Sequence, residues 1–167
     1  MRTGVVERVQ QHAAEAGDDG REPLRELSFG GVVVRGDLDH GTAEVVAIVP
    51  RGKRTTIALP KGGADADEAP EATAVREVRE ETGLNATVRT ELGEVTYWYR
   101  RGGRRVRKTV RFFLCDFVEG STDDHDHEVT EARWIPLHEA PSRLTYPGER
   151  EMVERAIGLL ARSAPDR

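Results

Sequence analysis

One stretch, residues 62–84, decides the fold, and it reads GGADADEAPEATAVREVREETGL. Its second half contains no helix breaker between Glu71 and Thr82. Pro70 suits the first turn of a helix, and Gly83 suits the position just past a helix end. Its first half is rich in Gly and Asp, which is typical of a loop. We therefore predict a loop over residues 60–69, followed by a helix over Glu71–Thr82.

Three glutamates share one face of this predicted helix. At about 100° per residue, Glu77, Glu80 and Glu81 fall within one arc of about 100°. Like charges at this spacing destabilise an isolated helix by about 0.2–0.5 kcal/mol per pair. A solvated acidic face is one explanation for the triplet. The other is a hard divalent cation, because Mg²⁺ and Mn²⁺ prefer carboxylate, carbonyl and water oxygens.

Two neighbouring features favour the cation. Gly62 and Gly63 precede the helix, and glycine lets backbone carbonyls approach an ion closely. Arg76 stands directly beside the triplet, and it can hold a carboxylate such as Glu68 or Glu80 in a fixed orientation. We therefore expect a Mg²⁺ (or Mn²⁺) site on this loop and helix.

The spacing of these residues resembles the Nudix box, G-x5-E-x7-R-E-U-x-E-E-x-G-U, in which U is aliphatic. Every defined position matches: Gly62, Glu68, Arg76, Glu77, Val78, Glu80, Glu81, Gly83 and Leu84. The resemblance extends over residues 27–160. It implies an α+β fold, namely a Nudix-type α/β/α sandwich with a mixed β-sheet. It also implies a MutT-like enzyme that hydrolyses a nucleoside diphosphate linked to another moiety.

The resemblance further implies a role for each matching position. The metal ligands would be Glu77, Glu80, Glu81 and the backbone carbonyl of Gly62, or of Lys61 beside it. The same three glutamates would be catalytic, since one of them would also polarise water. Glu68 and Arg76 match positions that form an orienting ion pair.

A general base is expected outside the box. Some family members place this base in the loop before the last strand, and here that strand contains Trp134. Glu128, six residues earlier, is the first candidate, and Glu131 is the second. The alternative for Glu128 is an ordinary loop acid. A carboxylate in this loop could accept the proton of an attacking water.

The remaining elements are predicted from hydrophobic patterning. Strands are predicted at residues 27–35, 43–49, 55–59, 85–91, 94–100, 106–118 and 132–137. A second amphipathic helix is predicted at 149–161, and a short helix around Val5, Val6 and Val9. We divide the chain into an N-terminal extension (1–26), a catalytic domain (27–162) and a C-terminal tail (163–167).

Cationic and aromatic side chains near the box are the candidates for substrate binding. They are Lys53, Arg54, Lys61, Tyr97, Tyr99, Lys108 and Tyr146. Strand alternation places Arg105, Arg107 and Arg111 on one face and Lys108 on the other. The basic run from residue 100 to 111 would be either a polyphosphate clamp or a solvated, charged strand edge.

Composition limits the class of protein. The net charge is -5, and residues 65–84 alone, with seven acids and two bases, match it. No apolar run approaches the roughly 20 residues of a membrane span, and residues 1–11 lack the apolar region of a signal peptide. The single Cys115 excludes an internal disulfide. We expect a cytoplasmic protein, compatible with a homodimer, that binds neither membranes nor nucleic-acid polymers.

The substrate is expected to be a small nucleotide-type diphosphate. The Lys61 and Lys108-Thr109 positions resemble the diadenosine and diphosphoinositol polyphosphate branch of the family, which favours a dinucleoside polyphosphate. The alternatives are a (deoxy)nucleoside triphosphate, including oxidised forms, and ADP-ribose. An alternative of another class is a catalytically silent, Nudix-like nucleotide-binding module, which would bind nucleotide without metal.

Overall fold

The computed structural model describes residues 9–11 and 20–163. The strands are β1 (Val9–Gln11), β2 (Leu24–Arg35), β3 (Glu44–Pro50), β4 (Lys61–Gly63), β5 (Leu84–Arg101), β6 (Arg104–Gly120) and β7 (Val129–Pro136). The helices are α1 (Pro70–Thr82), α2 (Ala140–Arg143) and α3 (Pro147–Ser163). None of the helices in this described part is long and apolar enough to cross a membrane.

The strands form one mixed, seven-stranded sheet. Its order is β1-β5-β6-β2-β3-β7, and the short β4 pairs with β2 beside this path. β2 runs parallel to β6 along most of its length, whereas it pairs with β3 only near Val34 and Arg35. β4 pairs antiparallel with β2, so that Gly62 lies opposite Phe29. This branch point brings the loop before α1 onto the middle of the sheet.

Helices cover both faces of the sheet, each over its own apolar core. α1 contributes Ala74 and Val78 to one core, which also contains Phe113 and Cys115. α3 packs on the other face, where its buried side chains Met152, Val153 and Ala156 join the larger core. The expected α+β fold, a helix–sheet–helix sandwich with a mixed sheet, is therefore confirmed.

The main elements follow the sequence prediction, with local corrections. Residues 55–59 are not a strand, since only Ala58 forms an isolated bridge to Ile48. The neighbouring strand is β4, inside the predicted loop 60–69, because Gly30 opposite it admits the Pro60–Lys61 backbone at close range. The two predicted strands at 85–91 and 94–100 are one bulged strand, β5.

The N-terminal prediction differs in part. Val9 belongs to β1, which pairs parallel with β5, where a short helix was expected. Val5 and Val6 lie outside the described residues. The helix α2 was not predicted at all. β2 begins at Leu24, before the expected start at Leu27, and the division of the chain at residues 26 and 162 stays a prediction.

Candidate active site

α1 places the three glutamates in different environments. The helix begins with Pro70 and ends at Gly83, whose φ of 77° is left-handed and whose N–H donates to the Arg79 carbonyl. Glu77 and Glu81 are buried, while Glu80 is exposed. The shared face predicted from the spacing therefore contains two desolvated carboxylates and one at the solvent boundary.

The loop before α1 lies directly against the two buried acids. A Cβ atom at Gly62 would overlap the carboxylate of Glu77, so a side chain at this position of β4 would displace that carboxylate. The Lys61 N–H donates to Oε2 of Glu81 at 3.0 Å. The structure thus brings Gly62 and Lys61 against Glu77 and Glu81, which are four of the residues on which a cation site was expected.

Arg76 connects the acidic residues of the site. Its guanidinium donates two hydrogen bonds of 2.9 Å to Glu68, one of 3.0 Å to Glu77 and one of 3.1 Å to Glu80. A further bond reaches the Gly63 carbonyl. The Arg76 guanidinium, and then the Thr73 hydroxyl, lower the pKa of Glu68 to about 2. The ion pair expected between Glu68 and Arg76 is thus present in the structure.

The pKa values of the buried acids are raised. Burial raises the pKa of Glu81 to about 8, against the Lys61 N–H and the Lys61 ammonium, which favour its charged form. Burial also raises the pKa of Glu77, against the guanidinium of Arg76. The negative charges of Glu80 and Glu128 raise it further. The nearby positive charges of Arg76 and Lys61 therefore do not offset the effect of burial on the pKa values of Glu77 and Glu81.

The donor set of this site fits a hard cation in type. The glutamates offer carboxylate oxygens, and a divalent cation would supply the missing positive charge. Within the described residues, no three His, Cys, Asp or Glu side chains converge as a ready-made metal group. The Glu80 carboxylate is instead bonded to Arg76. Glu80 would have to turn toward Glu77 and Glu81 in order to join them as a ligand.

The loop before β7 is fastened to α1. The Asp126 N–H donates to the Glu80 carbonyl at 2.7 Å, and the Glu128 N–H donates to the Asp126 carboxylate at 3.0 Å. The Arg51 N–H in turn donates to the Glu128 carbonyl. Glu128 is close enough to raise the pKa of Glu77, whereas Glu131 forms an ion pair with Arg133 on β7. Asp126 was not predicted as an anchor, because its partner is a backbone group.

A cavity of about 490 Å³ opens beside Lys61, on the α3 face of the sheet. Six of the seven predicted substrate-binding residues line it: Lys53, Lys61, Tyr97, Tyr99, Lys108 and Tyr146. Arg54 is exposed and does not line it. Trp98 and Glu149 also line it, and neither was predicted. Glu149 could have been found, since it precedes Met152, Val153 and Ala156 at the spacing of the buried face of α3.

The cavity combines aromatic rings with the ammonium groups of Lys61 and Lys108 and the carboxylate of Glu149. Burial and the nearby Lys61 lower the pKa of Lys108. Burial raises the pKa of Tyr97, whose ring centre lies 6.3 Å from that of Tyr99. The Tyr99 hydroxyl donates to Glu26 at 2.6 Å, which fixes this ring in orientation. Flat rings beside ammonium groups suit a ligand with both a base and a phosphate.

The other basic residues of the run from 100 to 111 do not form a clamp around this cavity. Arg105 lies over the ring of Trp98, at 4.7 Å from its centre. Arg111 donates twice to the carboxylate of Glu91. Of the basic residues in this run, only Lys108 lines the cavity, because alternation along β6 turns the neighbouring Arg107 to the opposite face.

Comparison with known proteins gives related sequences. Over 165 residues the chain is 39% identical to a Mycobacterium tuberculosis protein named mutator protein MutT4, covering 97% of this chain and 66% of that protein. Over 122 residues it is 32% identical to the 8-oxo-(d)GTP phosphatase of Mycolicibacterium smegmatis, covering 73% of this chain and 36% of that protein. The chain thus spans about two thirds of the first relative and about a third of the second.

Comparison with solved structures gives the same fold. The Ap4A hydrolase of C. elegans superposes with a TM-score of 0.66 at 21% identity, covering 82% of this chain and 98% of that chain. At this identity the likeness concerns the fold alone. The family model of the NUDIX domain matches residues 24–156, which contain both the acidic helix and the cavity. The chain therefore belongs to the Nudix family.

Proposed function

We propose that the protein is a divalent-cation-dependent hydrolase of a pyrophosphate linkage in a nucleoside diphosphate derivative. The observation that carries this proposal is the pair of buried carboxylates, Glu77 and Glu81, packed against Gly62 and Lys61. Their raised pKa values mark a place where a cation would stabilise negative charge. A pure binding module would gain nothing from two desolvated acids without a cation.

In this proposal Glu77, Glu80, Glu81 and the Gly62 carbonyl would hold Mg²⁺ (or Mn²⁺). When bound, the cation neutralises pyrophosphate charge and lowers the pKa of water. Arg76, fixed by Glu68, orients the carboxylates of Glu77 and Glu80.

Two residues around the acids would serve the substrate directly. Glu128 would accept the proton of the attacking water at its carboxylate, which the anchored loop keeps near Glu77. Lys61 would donate hydrogen bonds from its ammonium to a phosphate oxygen. Its position supports this role, since it joins the acidic site to the cavity.

For the substrate we propose a dinucleoside polyphosphate. The cavity supports this choice, because Tyr97, Tyr99 and Tyr146 could stack a base while Lys61 and Lys108 contact the phosphate chain. Its volume of about 490 Å³ suits a nucleoside in addition to the group held at the acidic site.

A second candidate substrate is an oxidised nucleoside triphosphate. The sequence relative from Mycolicibacterium smegmatis, 32% identical over 122 residues, is named for 8-oxo-(d)GTP. A triphosphate would place one base in the same cavity and leave no second nucleoside to bind.

A cytoplasmic location and a homodimer stay predictions from the sequence.

A substrate panel with Mg²⁺ or Mn²⁺ tests the proposal. It contains diadenosine polyphosphates, nucleoside triphosphates including 8-oxo-dGTP, ADP-ribose, diphosphoinositols and an RNA with a 5′-triphosphate. We expect cation-dependent hydrolysis that EDTA abolishes, with the highest kcat/KM for a dinucleoside polyphosphate. Preference for 8-oxo-dGTP would select the second candidate. Nucleotide binding without cation and without any hydrolysis would contradict the enzyme and favour the silent module.

A further inference from the structure

One buried acid in the cavity has no role in the proposed mechanism. Glu149 lies in the first turn of α3, and only 3% of it is exposed. Burial raises the pKa of its carboxyl group, against the ammonium of Lys61 and the N–H of Leu59. A carboxylate in such a place needs partners that replace water. The identity of these partners indicates what Glu149 does.

Both partners, Leu59 and Lys61, lie where the chain enters β4. Oε1 of Glu149 accepts the N–H of Leu59 at 2.6 Å. Oε2 lies 4.0 Å from Nζ of Lys61, whose side chain is 18% exposed. The single carboxylate thus contacts the backbone and the side chain of residues 59–61. It ties α3 to the approach of the acidic site.

The same segment is held from the opposite side by α1 and β2. The Lys61 N–H donates to Glu81 at 3.0 Å, and the Pro60 carbonyl accepts the N–H of Gly31 at 3.2 Å. Lys61 is therefore joined to α1 through its backbone and to α3 through its side chain. Its side chain lines the cavity, with the ammonium 5.9 Å from the centre of the Tyr146 ring.

The charge of Glu149 also balances the cavity. Lys61 and Lys108 both line it, and their two ammonium groups repel each other. Burial opposes the charge of Lys61, and the carboxylate of Glu149 is the strongest influence in its favour. An unpaired carboxylate at this place would repel a phosphate, whereas the ammonium of Lys61, 4.0 Å from Glu149, offsets this charge.

We propose that Glu149 is a positioning residue, which holds the Lys61 ammonium where it contacts the phosphate chain of an anionic ligand in the cavity. The inference rests on the proposed function, because it takes the ligand of the cavity to be a polyphosphate. Glu149 itself touches no reacting atom. It acts through Lys61, so its favourable contribution to binding must disappear when Lys61 is absent.

The first test measures binding without catalysis. Isothermal titration calorimetry with inorganic tripolyphosphate in EDTA compares the wild type with Glu149→Gln, which retains an oxygen acceptor for the Leu59 N–H and removes the charge. We expect the Kd to rise about tenfold. Glu149→Asp retains the charge and should recover part of the affinity. Glu154→Gln, an exposed acid on the same helix, is the matched control and should bind as the wild type does.

A double-mutant cycle tests the route through Lys61. In Lys61→Ala, the further change Glu149→Gln should not raise the Kd again, because the partner of Glu149 is already missing and its unpaired charge repels the anion. With Mg²⁺ and substrate, Glu149→Gln should raise KM by a factor similar to that for Kd and change kcat by less than about threefold. A purely structural role would instead lower the unfolding temperature and leave tripolyphosphate affinity at the wild-type value.

Three results would overturn the proposal: wild-type affinity in Glu149→Gln, additive effects in the double variant, or no tripolyphosphate binding by the wild type. The proposed hydrolase function fails separately. If no nucleotide is hydrolysed but the double-mutant cycle shows coupling between Glu149 and Lys61, the enzyme proposal is wrong and the positioning role stands. If nucleotide is hydrolysed and the cycle shows no coupling, the enzyme proposal stands and the positioning role is wrong.

Discussion

At the scale of single residues, burial makes Glu81 the most perturbed acid of the site. The pKa of its carboxyl group is raised from 4.5 to about 8 by desolvation. A folded chain therefore keeps this proton where the unfolded chain has lost it. By linkage, the free energy of unfolding falls as the pH rises between these two values, at about 1.4 kcal/mol per unit of pH.

The first prediction follows from this sign. In EDTA, raising the pH from 5 to 8 should destabilise the wild type relative to Glu81→Gln by up to a few kcal/mol, because glutamine has no proton to lose. Urea unfolding at several pH values measures the difference. Titrating groups distant from Glu81 are common to both proteins and cancel. Parallel pH profiles would show that Glu81 titrates in its ordinary range.

The close approach of Gly62 to Glu77 gives the second prediction. Gly62→Ala should displace the Glu77 carboxylate and lower kcat/KM by about tenfold to a hundredfold, the range for disturbing the orientation of a metal ligand, which is the role proposed for Glu77. The overlapping atoms are the end of a flexible side chain, so the cost in stability should stay within about 1–3 kcal/mol. Kinetics and urea unfolding are the two measurements.

Gly63 provides the matched control for this variant. A Cβ atom there would meet no heavy atom within 4 Å, and Gly63 is exposed. Gly63→Ala should therefore leave both kcat/KM and stability close to the wild-type values. Equal losses in the two variants would point to loop flexibility, and would contradict a specific contact between Gly62 and Glu77.

At the scale of elements, the end of α1 shows how much a local sequence pattern determines. Pro70 and Gly83 bound the helix as predicted, because both act through the backbone of their own turn. β4 and the bulges of β5 were missed, since they depend on pairing with strands distant in sequence. The bond from Asp126 to the Glu80 carbonyl was missed for the same reason.

The third prediction concerns Gly83, where the chain leaves α1. Its left-handed φ disfavours any side chain, and a Cβ would also overlap the carbonyl of Ser121. Gly102, at the hairpin between β5 and β6, has φ of 57° with open space around it. Gly102→Ala should cost about 1 kcal/mol, the conformational term alone, whereas Gly83→Ala should cost about 2–4 kcal/mol. Urea unfolding compares the variants, and equal costs would contradict the steric part.

At the scale of the whole molecule, opposite charges lie on different parts of one small domain. The net charge of -5 matches the excess of acids at residues 65–84. In the structure Arg76 neutralises part of this excess, yet Glu77 and Glu81 still have raised pKa values. The glutamates of the acidic site and the ion pair of Glu68 with Arg76 could be predicted from the Nudix box. The cavity could not be predicted, because β4, β5, β6 and α3, which contribute to its lining, meet only in the folded chain.

The fourth prediction concerns the response of the whole fold to a cation. A ligand that binds only the folded chain at 100 times its Kd stabilises by about 2.7 kcal/mol, which for this length raises the unfolding temperature by about 5–10 °C. Mg²⁺ should produce this shift, and NaCl of equal ionic strength should not. The shift should fall in Glu80→Gln, although this acid is exposed and contributes little to the fold. An undiminished shift would exclude Glu80 as a ligand and leave it as a partner of Arg76 alone.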